Sequence, residues 1–164
     1  MKRVYLLILV LLLAACGTSG SEAPAGGSAR GDMQGITITN ARANLTLPSD
    51  TGSLWMEIHN GSGEDDALLG AEVPGCAAIE LHDMMMENDV MVMREVEGGR
   101  IPLPAGETVE LKQGGLHVMC IGKEAPLEAG STIDIVLHFE NADDVALTAE
   151  VVAPGEMPAN MSDE

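Results

Sequence analysis

The stretch Gly114-Gly115-Leu116-His117-Val118-Met119-Cys120-Ile121 decides how this chain folds. Leu116, Val118 and Cys120 alternate with His117, Met119 and Ile121. Successive side chains of a strand point to opposite faces, so the first set faces a core and His117 and Met119 share the other side. Gly114-Gly115 is the turn that leads in. The same period of two recurs on either side of this segment. Ile36-Thr37-Ile38-Thr39 begins it, and Leu54, Met56 and Ile58 alternate with Trp55, Glu57 and His59. Ile79 and Leu81 alternate with Glu80 and His82, and Val90 and Val92 with Met91 and Met93. Ile133, Ile135, Leu137 and Phe139 form one apolar row, and Val145, Leu147, Ala149 and Val151 another. Turn signals separate the runs, among them Pro48-Ser49-Asp50, Asn60-Gly61-Ser62-Gly63, Pro74-Gly75, Pro104-Ala105-Gly106 and Asn141-Ala142-Asp143. No segment sustains an apolar period of 3.6. The pattern predicts an all-β domain, a β-sandwich or Greek-key barrel. Aromatic residues make up only 2% of the chain, so Leu, Ile, Val and Met must fill the core, with Trp55 as its expected aromatic anchor.

Both ends read differently from the middle. Lys2 and Arg3 precede an apolar run from Val4 to Leu13, and Leu13-Ala14-Ala15-Cys16 follows. A basic start, a short apolar segment and small residues before a cut form a secretory signal. The run is shorter than the roughly 20 residues a membrane-spanning helix needs. Leu-Ala-Ala-Cys resembles the bacterial lipobox, which makes Cys16 the lipidated first residue of an extracytoplasmic, membrane-anchored protein. Residues 1–15 are then the signal peptide, and 16–32 the lipidated Cys and a flexible Gly/Ser/Ala tether. The tether reaches on the order of 20–25 Å from the bilayer. Residues 33–154 form one folded domain and 155–164 a polar tail. The formal charge is −18; losing Lys2 and Arg3 leaves 6 basic against 26 acidic side chains, or −20. That balance excludes nucleic acid as a partner and argues against docking on anionic lipid heads. Once Cys16 is lipidated, Cys76 and Cys120 remain in an oxidising compartment. They form either a disulfide or a pair of small buried hydrophobes.

Strand parity then singles out a set of side chains. His82 opposes Ile79 and Leu81, Met93 opposes Val90 and Val92, and His117 and Met119 oppose Leu116 and Val118. All four lie off the main core face, an odd place for methionine if its task were filling space. Imidazole nitrogen with neutral thioether sulfur is a soft donor set that suits Cu(I). It lacks the carboxylates that Ca²⁺ and Mg²⁺ require, and zinc prefers Cys, His and carboxylate. Thioethers also need no deprotonation and form no disulfides, which suits an oxidising compartment. The expected cargo is one Cu(I) per domain on His82, Met93, His117 and Met119. Met84 shares the parity of His82 and is a possible auxiliary donor. The other reading of Met84, which it shares with Met85, Met86 and Met91, is an exposed apolar docking rim.

The arrangement His82, ten residues, Met93, then His117-x-Met119 resembles the periplasmic CuA chaperone family, PCuAC. Ile79-Glu80-Leu81-His82, Val92-Met93-Arg94-Glu95-Val96-Glu97-Gly98, residues 101–112 and Gly114-Gly115-Leu116-His117-Val118-Met119 carry the likeness, which covers roughly residues 35 to 152. Two features depart from the family pattern. Twenty-three residues separate Met93 from His117, two more than usual, and fit best in a loop near Gly98-Gly99-Arg100 or Pro102-Leu103. Cys120 stands where an aliphatic residue is usual. The resemblance implies a cupredoxin-like Greek-key β-sandwich that binds Cu(I). It also implies delivery of copper toward the CuA subunit of cytochrome c oxidase, alongside thioredoxin-like Sco-type proteins.

Rival readings start from the remaining residues. Cys120 beside Met119 keeps open a blue-copper electron-transfer site, which needs a thiolate with two His and an axial Met. A metal-free adhesion or assembly lipoprotein is the third reading. No Ser-His-Asp order, glycine-rich phosphate loop or HExxH occurs, and the acidic residues do not pair as acid and base, so no enzyme is expected. The domain is expected to be a monomer. His59 and His138 lie on polar faces without partner methionines and read as surface residues.

Overall fold

A computed structural model describes residues 31–33 and 35–155. The expected signal peptide and lipidation site, within residues 1–30, and residues 156–164 lie outside the described residues. The alternating runs become strands, in chain order β1 (Gly31–Met33), β2 (Ile36–Asn44), β3 (Thr51–Asn60), β4 (Asp66–Glu72), β5 (Ala78–Glu87), β6 (Val90–Glu95), β7 (Ile101–Leu103), β8 (Thr108–Leu111), β9 (His117–Ile121), β10 (Thr132–Phe139) and β11 (Val145–Val151). Glu97–Gly99 adds a single 3-10 turn. Gly31 and Asp32 pair with β2 opposite Ile38 and Thr37, so strand pairing starts two residues before the expected start of the domain at residue 33.

The strands form one continuous mixed sheet in the order β6-β5-β9-β3-β2-β11-β10-β4-β7. β3 serves as the hub. Its first half, Thr51 to Leu54, pairs with β9, its second half, Met56 to His59, pairs with β8, and its other edge pairs with β2. All pairings are antiparallel except one: β11 returns from its hairpin with β10 to lie parallel to β2, Glu150 opposite Arg42. β4 also meets β5 and β7 meets β3, so the sheet curls over a common core as a β-sandwich. Ile36, Ile38, Leu54, Met56, Ile58, Leu81, Val118, Ile135 and Leu137 fill that core, none more than 2% exposed. Full burial of one such side chain stabilises by about 1.5–3 kcal/mol, which holds the strands in register. Trp55, the expected aromatic anchor, is 9% exposed but stands outside this core cluster, because it alternates with Leu54 and Met56 and so takes the opposite face, that of Ser53.

β1, β4, β7 and β8 are not among the alternating runs named above; β8, Thr108-Val109-Glu110-Leu111, alternates but is only four residues long. In β4 the adjacent Leu68-Leu69 pair and Gly70 interrupt the period, and the register against β10 shifts between His138 and Phe139. β7 is three residues long with Pro102 at its centre, tolerated because this strand ends the sheet.

Cys76 and Cys120 are joined, with Cα atoms 5.5 Å apart. Cys120 lies on the core face of β9 and is fully buried. The bridge therefore ties the turn before β5 to the middle of β9 from inside the sandwich. Gly122 completes this corner: it adopts φ +64°, and a Cβ there would come within 2.7 Å of the Ala77 Cβ.

Candidate metal centre

β9, β5 and β6 lie side by side, and their register places each predicted site residue. His82 and His117 are directly opposite one another across β5 and β9. Met119 lies two residues along β9, opposite Glu80 on one side and Ser53 on the other. On the β6 side His82 faces Glu95, and Met93 faces Met84. His82, Met84, Met93, His117 and Met119 thus share the face opposite Leu81, Val118 and Cys120. The histidine pair sits between the two methionine positions: Met119 is one step away in one strand direction, and Met93 and Met84 one step away in the other. Exposure is graded across the patch. His117 is 3% exposed, His82 and Met119 are half-buried, and Met93 at the sheet edge is 46% exposed.

The imidazoles lie with ring centroids 5.7 Å apart in an edge-to-face arrangement. Each has one nitrogen engaged. His117 Nδ1 is 2.9 Å from the Gly115 carbonyl oxygen. A carbonyl only accepts, so Nδ1 carries the proton and Nε2 of the neutral ring holds a bare lone pair. His82 Nε2 is 2.8 Å from a Glu80 carboxylate oxygen. By the same reasoning Nε2–H donates and Nδ1 is bare. Both bare nitrogens, His82 Nδ1 and His117 Nε2, are buried without a hydrogen-bond partner, and they are two of only four such side-chain atoms among the described residues. Leaving such a group unsatisfied costs about 1–3 kcal/mol. A ring anchored through one nitrogen by a carboxylate or carbonyl, with the other free, is the arrangement that orients histidine ligands to metals.

Electrostatics preserve that state at His117. Burial lowers its pKa below the ordinary 6.5; the Gly115 carbonyl opposes the shift, proximity to His82 adds to it and Asp83 opposes it. A depressed pKa keeps the ring neutral and able to donate its lone pair. Among the described residues no three His, Cys, Asp or Glu side chains gather as a metal site. The thioethers of Met119, Met84 and Met93 share the face of the histidine pair, as do the carboxylates of Glu80, engaged with His82, and Glu95, opposite it. Ser53 Oγ lies 4.0 Å from Met119 Sδ and steadies that thioether.

The blue-copper reading fails on this geometry. Cys120 is bonded to Cys76 and points into the core, away from both imidazoles, so it offers no thiolate. Two orienting groups had been passed over. Glu80 was detectable, being two residues before His82 and therefore on its face. The Gly115 carbonyl has no side-chain signature.

The family model described as LpqE-like, a lipoprotein family, matches residues 36–151. The chain belongs to the LpqE-like family. A sequence from Leifsonia xyli subsp. xyli (strain CTCB07), Lxx21020, whose name also places it among lipoproteins, is 30% identical over 120 residues, covering 73% of this chain and 69% of its own length. Among solved structures, the copper-bound PCuAC domain from PmoF2 is similar to this LpqE-like domain with a TM-score of 0.64 at 22% identity, covering 76% of this chain and 98% of that one. The solution structure of Cu(I)-DR1885 from Deinococcus radiodurans is similar with a TM-score of 0.54 at 26% identity, covering 71% and 79%. The LpqE-like chain therefore has the PCuAC fold, in agreement with the resemblance carried by its His and Met spacing.

Proposed function

We propose that this LpqE-like protein is an extracytoplasmic, lipid-anchored chaperone for Cu(I). His82 Nδ1 and His117 Nε2 are the firm donors, Met119 and Met93 the weaker ones, and Met84 is held in reserve beside Met93. One observation carries the reading: two neighbouring imidazoles, each oriented through one nitrogen, keep the other nitrogen buried and without a hydrogen-bond partner. A metal-free module has no use for that cost. Copper bound by the similar PmoF2 and DR1885 domains supports the choice of ion. Lipoprotein naming in the family and the Lxx21020 relative supports the anchor at Cys16.

Delivery toward the CuA subunit of cytochrome c oxidase, with a Sco-type protein as co-worker, is the destination we propose from the PCuAC resemblance. The anchor would hold the site within tether reach of a membrane acceptor, and a monomer leaves the β6 edge open to it. The test is competition for Cu(I) against a chromophoric chelator, combined with X-ray absorption of the loaded protein. The expected result is one tightly held ion with nitrogen and sulfur neighbours, abolished in His82→Ala/His117→Ala. Unchanged affinity in that variant, or a shell of oxygen only, overturns the reading. Transfer to a metal-free CuA domain, followed by the appearance of its visible absorption, tests the recipient separately.

A further inference from the structure

The β5–β6 hairpin carries more sulfur than the histidine pair can use. Its register sets Met84 opposite Met93 and Met86 opposite Met91. These are successive pairs on one face, since β5 positions 82, 84 and 86 alternate with 83, 85 and 87, and β6 behaves likewise. The result is a block of four methionines, two by two, extending from the histidine pair to the tip of the hairpin. The block is not core: Met86 is 64%, Met91 47% and Met93 46% exposed. The other face of the hairpin is different, with Asp83, Glu87 and Arg94 around Met85 and Val92, and an ion pair between Arg94 and Glu87. The tip is a two-residue turn, Asn88 and Asp89 at φ 51° and 63°, which holds the two strands in this register.

We propose that this block is a second soft-metal site, in which Met84, Met86 and Met91 bind a monovalent d¹⁰ ion through thioether sulfur alone. Opposed residues on paired strands have Cβ atoms about 4.5–5.5 Å apart, and methionine's three rotatable bonds let three sulfurs close on one ion. Neutral sulfur with no carboxylate among the four positions selects Cu(I) or Ag(I) over Ca²⁺, Mg²⁺ and Zn²⁺. The site is exposed and lacks imidazole, so it loads and unloads more readily than the buried pair. Met93 borders both sites and gives an ion a route from the tip to the histidines. The route rests on the function proposed above; the second site does not.

Ag(I) titration of the full chain, purified in detergent and labelled at methionine methyl groups, tests this by NMR. The expected result is two equivalents bound, one moving the Met119 methyl and the weaker one moving those of Met84, Met86 and Met91. Met86→Leu/Met91→Leu keeps the apolar surface and removes the sulfur, and should leave only the first equivalent. His82→Ala/His117→Ala should leave only the second. Saturation at one equivalent with the Met86 and Met91 methyls unmoved overturns the second site and spares the histidine site. Movement of Met86 and Met91 without any of Met119 overturns the histidine site and spares this one. Two equivalents persisting in the leucine variant also refute the proposal, and leave the block as a hydrophobic docking surface.

Discussion

Breaking the Cys76–Cys120 bridge should cost about 4 kcal/mol and leave the metal centre in place. The two residues are 44 apart in sequence. Cross-linking a loop of that size removes about 13 cal/mol/K of chain entropy from the unfolded state, or about 4 kcal/mol at 25 °C. A folded domain of roughly 120 residues unfolds with an entropy of about 0.25 kcal/mol/K near its midpoint, so the loss lowers Tm by about 15 °C. With a urea slope of about 2 kcal/mol/M the midpoint falls by about 2 M. Reduction in the presence and absence of urea is the clean perturbation, because every atom of the core stays. Cys76→Ala/Cys120→Ala should cost about 1 kcal/mol more, since the Cys120 sulfur is fully buried and leaves a small cavity. Circular dichroism follows the unfolding, and Ag(I) binding is measured on folded Cys76→Ala/Cys120→Ala, which has no thiol at these positions to capture the ion. The sulfurs sit on the core face and the imidazoles on the opposite one, so affinity should be retained while the domain is folded. Coincident urea midpoints with and without reductant would refute the entropic estimate. Loss of the metal site from the folded, bridge-free alanine variant would refute the separation of the two faces.

Three further perturbations have defined outcomes. Asp66 is 7% exposed and accepts backbone N–H bonds from Ala67, Glu140, Asn141 and Ala142, which holds the β10–β11 turn. Asp66→Ala should therefore lose about 2–4 kcal/mol in urea melts. Burial raises the Asp66 pKa but the four amides outweigh it, and the net shift is below 3.8. Its contribution is thus present above 3.8 and lost as pH falls through the lower folded value, which melts between pH 2 and 5 should show against Asp66→Asn. His117 has the same sign at a higher pH: its folded pKa lies below 6.5, so the unfolded chain binds the proton more tightly and the metal-free domain loses stability as pH falls from 6.5 toward the folded value. Urea midpoints from pH 8 to 5 should show that decline and lose it in His117→Leu. Glu80→Ala releases the His82 ring and should weaken Cu(I) binding by roughly 10–100-fold in chelator competition, with little change in fold stability.

Strand parity made much of the site legible. A period of two, read at Leu116 to Ile121 and at Ile79 to His82, already separates Val118 and Leu81 from His117 and His82, and the structure keeps that separation. Which strands are neighbours is another matter. β5 precedes β9 by some thirty residues, and nothing local in either states that His82 will face His117. The spacing likeness to PCuAC supplied that pairing in advance. Short strands without alternation stayed hidden, because β4 and β7 are set by partners far along the chain, Phe139 for Leu68 and Ala67 for Pro102. The tautomers were equally out of reach: they follow from the Glu80 carboxylate and the Gly115 carbonyl, and the latter is a property of a turn rather than of a side chain.

The order of the strands also gives the proposed chaperone a direction. β9 is interior to the sheet, β5 is next, and β6 is its free end. Side-chain exposure rises along the same path, from His117 at 3% to Met93 at 46%. Donor strength falls from the histidine pair to Met93, since imidazoles held by Gly115 and Glu80 bind more firmly than an untethered thioether. An incoming ligand from a partner that approaches from the β6 side meets Met93, the most exposed of the proposed donors, first. Each replacement there loosens the ion from sulfur before nitrogen, and no step needs the buried imidazoles to move. A site built on three interior strands would hold copper as well but could not pass it on. Placing the outermost thioether on a terminal strand makes release a matter of exchange rather than of unfolding.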